Sequence, residues 1–150
     1  MRLLPFTITF LLLASVTPTQ AECITPGRWW IEHPSTELLF SGTVEQIVRT
    51  APLGFRASVT VDRLWKGSID QQIDVFVWEG APEWPPIARF QRYVFALRRL
   101  RPTEDQRERD GAGVPDGSVA FTPIMCGAEP YADAERSGLV RDFGPGYAPK

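Results

Sequence analysis

Histidine is all but absent from this chain: His33 is the single one in 150 residues. No Gly-x-Ser-x-Gly elbow occurs, and no serine or cysteine stands at a motif position beside His33. General-base and nucleophilic catalysis therefore lack the partners they require. A loop histidine next to Pro34 is the expected role. Cysteine is nearly as scarce, with Cys23 and Cys126 alone. With His33 they have no close ligand spacing, which excludes the usual zinc arrangements.

The acidic residues do not supply chemistry either. Glu104, Asp105, Glu108 and Asp110 alternate with Arg107 and Arg109, the pattern of a solvated loop rather than of paired catalytic carboxylates. The stretch DGAGVPDG, residues 110–117, lacks the ordered oxygen ligands of a calcium loop and reads as two Asp-Gly turns. No metal and no cofactor is expected, and the chain is read as non-enzymatic.

An excess of positive charge is also missing. The formal net charge is -2, so nothing electrostatic draws the protein to nucleic acid or an anionic membrane. Stacking rings are present in Trp29, Trp30, Trp78 and Trp84, but single-strand binding needs them inside a positive groove. From Arg98 to Asp116 arginines and acids balance, and nucleic-acid binding is not expected.

The sequence lacks any apolar run of the roughly 20 residues that a membrane span needs. Met1 and Arg2 instead precede a shorter apolar run, Leu3 to Val16, and a small, polar stretch to Ala21. Residues 1–21 are read as a secretory signal peptide and 22–150 as one domain, secreted or periplasmic, with no span in the mature part. Glu22 ahead of Cys23 disfavours a lipoprotein anchor. In an oxidising compartment an even cysteine count reads as a disulfide rather than free thiols. A bridge from Cys23 to Cys126 would close a long loop, worth roughly 4 to 5 kcal/mol on chain entropy before strain.

What the chain does contain is strand pattern. LLFSGTVEQIV (38–48) places Phe40, Gly42, Val44 and Val48 on one parity, and FRASVTVDRLW (55–65) does so with Phe55, Ala57, Val59, Val61 and Trp65. Both are period-2 signals. APLG between them is a turn. IDVFVW (73–78) and YVFAL (93–97) are apolar on both faces and should be the more buried strands. SVAFTPIM (118–125) supplies a fifth strand, with Pro123 marking an edge or a bulge. Only YADAERSGLV (131–140) looks helical.

The stretch RLWKGS, 63–68, breaks the parity of its strand: Arg63 falls on the apolar side and Leu64 on the polar side. A bulge or sharp twist is expected there. Gly67 then permits a positive φ, Lys66 keeps the turn wet, and Trp65 plugs the end of a curled sheet. The expected fold is all-β with one short C-terminal helix, a five-stranded OB-like barrel without exposed strand edges.

The ordered set of a Phe-x-Gly-x-Val strand (Phe40, Gly42, Val44), a Trp-Lys-Gly turn (Trp65, Lys66, Gly67) and a Tyr-Val-Phe-Ala strand (Tyr93, Phe95), with cysteines near both ends, resembles the tissue-inhibitor-of-metalloproteinases-like and netrin-like domains. The likeness spans about residues 23–140 and implies the OB fold. It also implies that Cys23 matches the second cysteine of the family's Cys-x-Cys start and pairs with Cys126. Ala21 stands where the first would be, and the central loop, 79–92, has no cysteine, so both halves of one family bridge are missing together. In the inhibitors of the family the first mature cysteine chelates the protease zinc through its amine and carbonyl. Neither Glu22 nor Cys23 meets that condition after a cut at Ala21.

The resemblance thus implies a non-enzymatic binding module. The expected partner surface is the N-terminal segment, with Glu22, Cys23 and Trp30, together with Trp84 in the stiff GAPEWPPIA stretch. Trp29 and Trp30 themselves have the character of core or barrel-cap residues. A protein is the expected partner. Metalloproteinase inhibition, and a structural domain without a specific partner, are the alternatives.

Overall fold

The computed structural model describes residues 29–79 and 87–150. Five strands form one sheet: β1 (Leu38–Ala51), β2 (Gly54–Lys66), β3 (Gln72–Trp78), β4 (Arg92–Leu100) and β5 (Ala120–Pro130). Their lateral order, β1-β2-β3-β5-β4, returns to β1, so the sheet closes into a ring. Strand β1 makes this closure possible by pairing antiparallel with β2 along its length and with β4 through Leu38–Thr43. The seam between β3 and β5 is the thinnest, a parallel contact centred on Val75 and Phe121.

All five expected strands are present, and four short helices lie outside the ring among the described residues: α1 (Trp29–Glu32), α2 (Gln106–Ala112), α3 (Tyr131–Arg136) and α4 (Leu139–Phe143). The one expected C-terminal helix is thus two, broken at Gly138, whose φ of 86° a continuous helix does not allow. Helices α1 and α2 carry no strong apolar period and were not expected.

The interior of the ring is filled by Phe40, Val44, Phe55, Ala57, Val59, Val61, Val75, Val77, Tyr93, Phe95 and Leu97 with their neighbours. Phe40 and Phe95, paired across β1 and β4, have ring centroids 5.3 Å apart, near the favourable tilted-aromatic distance. Strand β4 is apolar on both faces because it serves two cores. Tyr93, Phe95 and Leu97 point inward, while Val94 and Ala96 join Trp30, Leu39, Leu139 and Val140 under α1, α3 and α4. On the other flank Phe76, Leu100, Ala112, Val114 and Ala120 form a third cluster beneath α2.

The parity break at RLWKGS is a pair of bulges. Asp62 and Trp65 have no register partner on β1, since Gly42 pairs with Val61, Ser41 with Arg63, Phe40 with Leu64 and Leu39 with Lys66. The bulge at Asp62 reverses the facing of β2, so Leu64, opposite the inward Phe40, enters the ring and Trp65 leaves it; the bulge at Trp65 then keeps Lys66 on the outer face opposite Leu39. Trp65 therefore does not plug the barrel: it packs on Phe143 outside, at 5.3 Å, and its Nε1 donates to the Gly144 carbonyl at 2.9 Å. Lys66 is likewise put to a structural use. Its Nζ donates to the Ile31 carbonyl at 2.8 Å, an acceptor that α1 leaves without a helical partner. Gly67 has φ 89°, as its turn requires.

A further bulge at Glu45, between Val44 paired to Val59 and Gln46 paired to Ser58, reverses the facing of β1. Val48, expected on the inner parity, gives way to Ile47, which packs against the inner core. Gly42 sits where β1 bends most closely over β2: a Cβ there would lie 2.6 Å from the Thr60 carbonyl oxygen and 2.7 Å from Val59 Cγ1. In β5, Ile124 to Gly127 stand opposite the single residue Ala96, the irregularity that Pro123 foretold.

The 104–112 stretch is not a solvated loop. Asp105 and Glu108, from α2 and the turn before it, both hold Arg98 of β4, with Arg98 to Asp105 at 3.0 Å. Arg109 is buried and donates to the carbonyls of Leu100, Pro115 and Ser118 at 3.1, 3.2 and 3.0 Å. The first half of DGAGVPDG belongs to α2, which ends at Gly113 with φ 67°, the left-handed stop that glycine allows.

Candidate functional site

Of the residues expected to meet a partner, Glu22, Cys23 and Trp84 lie outside the described residues. No cysteine among the described residues is free. Trp30 is described and is fully buried, its ring stacked 6.4 Å from Phe143 in the cluster under α3 and α4. It is a core residue and offers no surface to a partner. The exposed ring of that segment is Trp29, tilted over His33 with centroids 4.4 Å apart. His33 Nδ1 accepts from the Ser35 amide at 3.2 Å, a local turn contact rather than a catalytic one. The fold-signature residues Phe40, Val44, Tyr93 and Phe95 are all in the inner core.

The exposed aromatic that sequence reasoning missed is Phe90. It is 70% exposed and adopts φ 61°, one of two non-glycine residues in the left-handed region among those described. For a bulky side chain this conformation is rare and costs about 1 to 2 kcal/mol. Backbone bonds hold it there. The Phe90 amide donates to the Val44 carbonyl at 2.7 Å, and the Val44 amide donates to the Gln91 carbonyl at 3.0 Å.

The buried Tyr93 tightens the same corner. Its hydroxyl accepts from the Ala88 amide and donates to Gln91 Oε1, each at 2.9 Å. The Arg89 guanidinium lies 4.8 Å from the centroid of the Phe90 ring, and its Nε reaches the Glu45 carbonyl at 3.4 Å. The backbone that carries the exposed ring is thus fixed in place by main-chain bonds. Strain of this kind gathers at functional sites. The signal in the sequence was faint: Arg-Phe-Gln between a Pro-rich stretch and a strand reads as ordinary loop.

Glu45 leads to a second feature on the other side of β1. Its bulge opens a groove of about 410 Å³ across β1, β2 and β3. Two rungs of the sheet line it. Gln46, Ser58 and Asp74 are register partners across the three strands, and Thr60 pairs with Gln72 in the next rung. Ser58 Oγ donates to Asp74 Oδ1 at 2.6 Å, and Arg56 Nη1 stands 3.6 Å from Asp74 Oδ2.

Another hollow, by Ser35, Glu37, Arg98, Arg99 and Arg101, is a mesh of ion pairs joining the start of β1 to the end of β4. Burial pushes the Glu108 carboxyl up from its ordinary value, Arg98 opposing and Asp105 adding to the shift. Glu129, at the end of β5, is raised by burial and by the nearby Asp133. No group of three metal-ligating side chains is found among the described residues. No helix among them is long and apolar enough to cross a membrane.

No family model matches the chain, and no curated protein is similar to it.

Proposed function

We propose that this protein is an exported, non-enzymatic binding module built on an OB-like barrel, and that it holds a protein partner at the corner around Phe90. The observation that carries the reading is the ring of Phe90, exposed and kept in a left-handed backbone conformation by Val44. An aromatic side chain has few rotatable bonds, and on a backbone already fixed it has little conformational entropy left to lose on docking, which favours it at interface centres. The barrel assignment is supported by the ring-closed strand order and by β1 shared between β2 and β4.

In this proposal residues 1–21 are removed on export, Cys23 bridges to Cys126, and the mature domain is of the inhibitor-like and netrin-like kind. Trp84, six residues before Phe90 in sequence, is the second residue proposed to meet the partner. Protease inhibition does not follow, because a mature chain starting at Glu22 has no terminal cysteine to chelate zinc.

The test is affinity capture from the native extracellular or envelope fraction with wild type, Phe90→Ala, Trp84→Ala and Leu53→Ala. Leu53 is an exposed apolar residue at the β1–β2 turn and serves as the control for general stickiness. A partner lost with Phe90→Ala and kept with Leu53→Ala supports the proposal. Capture indifferent to Phe90 sinks it. N-terminal sequencing of the exported chain decides the inhibitor question: a start at Cys23 restores the chelating terminus, and a start at Glu22 removes it.

A further inference from the structure

We infer that the groove across β1, β2 and β3 binds a neutral polyhydroxylated ligand, a short glycan. The inference rests on the reading of the domain as a binding module but concerns a different surface from Phe90. The two rungs place Gln46, Ser58, Thr60 and Gln72 along one hollow. Gln46, Thr60 and Gln72 both donate and accept hydrogen bonds, while Ser58, its proton given to Asp74, accepts; a vicinal diol makes the same double demand. With strands about 4.8 Å apart, the three-strand floor is roughly 10 Å wide, and the volume of about 410 Å³ falls within the range of small-molecule sites.

Other ligand classes fit less well. Glu45 and Asp74 both line the hollow, so a phosphate, sulfate or nucleic acid would be repelled. A cation is drawn less than two carboxylates suggest, since Asp74 already accepts from Ser58 and faces Arg56. That leaves Glu45, which forms no ion pair among the described residues, as an acceptor at the rim. An apolar ligand would find only Val59 and Ile73 in the lining and would strand the amides and hydroxyls around it. The groove is built by the Glu45 bulge, a device that re-aims side chains beside sites.

The experiment is an amide-resolved NMR titration of the folded, uniformly labelled chain with a panel of neutral hexose and N-acetylhexosamine disaccharides, with spermidine, and with a sulfated heparin disaccharide. The expected result is saturable shifts of Gln46, Ser58, Thr60, Gln72 and Asp74 with a neutral disaccharide. Binding should weaken at least tenfold in the double variant Gln46→Ala/Gln72→Ala, both at exposed positions and checked for an unchanged spectrum elsewhere. The inference is overturned if no neutral disaccharide moves these amides, if spermidine or the heparin disaccharide does so in their place, or if the double variant binds as wild type does. Partner capture on the same preparation separates the two readings: capture that depends on Phe90 without glycan shifts sinks this inference alone, and glycan shifts without such capture sink only the protein-partner reading.

Discussion

Leu64 and Tyr147 exchange both of their backbone hydrogen bonds, each 2.8 Å long. The C-terminal tail thereby lies along the bulged end of β2, beyond the start of β3. Tyr147 adds a third bond through its hydroxyl, which donates to the Gly67 carbonyl at 2.6 Å, and the Lys150 amide reaches the Ile69 carbonyl at 3.2 Å. Trp65, turned outward by the parity reversal at Asp62, ties to the same tail at Gly144. The stretch RLWKGS thus receives the end of the chain.

Removing residues 144–150 should therefore lower the melting temperature without changing the strand content seen by circular dichroism. Tyr147→Phe, which deletes one half-exposed hydrogen bond, should cost about 0.5 kcal/mol in urea titration, the low end for such bonds. A truncation as stable as the full chain would show the tail to be passive.

Arg109 is buried against three carbonyls with no acid among its hydrogen-bond partners. Arg109→Leu keeps much of the volume yet leaves the carbonyls of Leu100, Pro115 and Ser118 unmet, at roughly 3 kcal/mol. Amide exchange should rise first in residues 113–119, the turn that the guanidinium holds against β4.

At Gly42 the backbone of β1 touches β2 too closely for any side chain. Gly42→Ala should destabilise by about 2 kcal/mol or more, because neither the Thr60 carbonyl nor Val59 can retreat within a paired strand. Gly117→Ala is a useful contrast. No atom lies within 4 Å of its virtual Cβ, so only the penalty of its positive φ, about 1 kcal/mol, is expected.

Phe90 predicts the opposite sign. Phe90→Gly relieves a left-handed bulky residue and should stabilise the fold by about 1 kcal/mol while abolishing partner capture. Stability gained with binding lost marks strain kept for function; a Phe90→Gly variant that melts lower than wild type would remove that argument.

Glu129 carries a pH signature. Burial and Asp133 raise its carboxyl above the ordinary 4.5, so the folded state holds the proton more tightly than the unfolded one. Stability then falls as pH rises from 4.5 through the raised value. Glu129→Gln should melt higher than wild type at pH 7 and equally at pH 3.5. A difference independent of pH would point to packing instead of ionisation.

The strands were legible because alternation of apolar and polar residues reports which face is buried, and each of the five expected runs is a strand. The bulge near Trp65 was legible for the same reason, as a local failure of that alternation. Its outcome was not: parity marks where the facing changes, but which of Leu64 and Trp65 enters the ring depends on β1, which pairs with both sides of the break. Likewise α2 was hidden, since its charged residues look solvated until Arg98 and three distant carbonyls are brought to them.

By itself, then, the sequence determined the class of the fold, the number and place of its strands, and the turn glycine Gly67, because these follow from short-range period and backbone sterics. Closure of the sheet through β1, the groove opened at Glu45, the burial of Trp30 and the display of Phe90 were decided by tertiary structure alone. Each of them depends on contacts between residues far apart along the chain, and local pattern carries no information about which distant backbone will be there to accept a hydrogen bond.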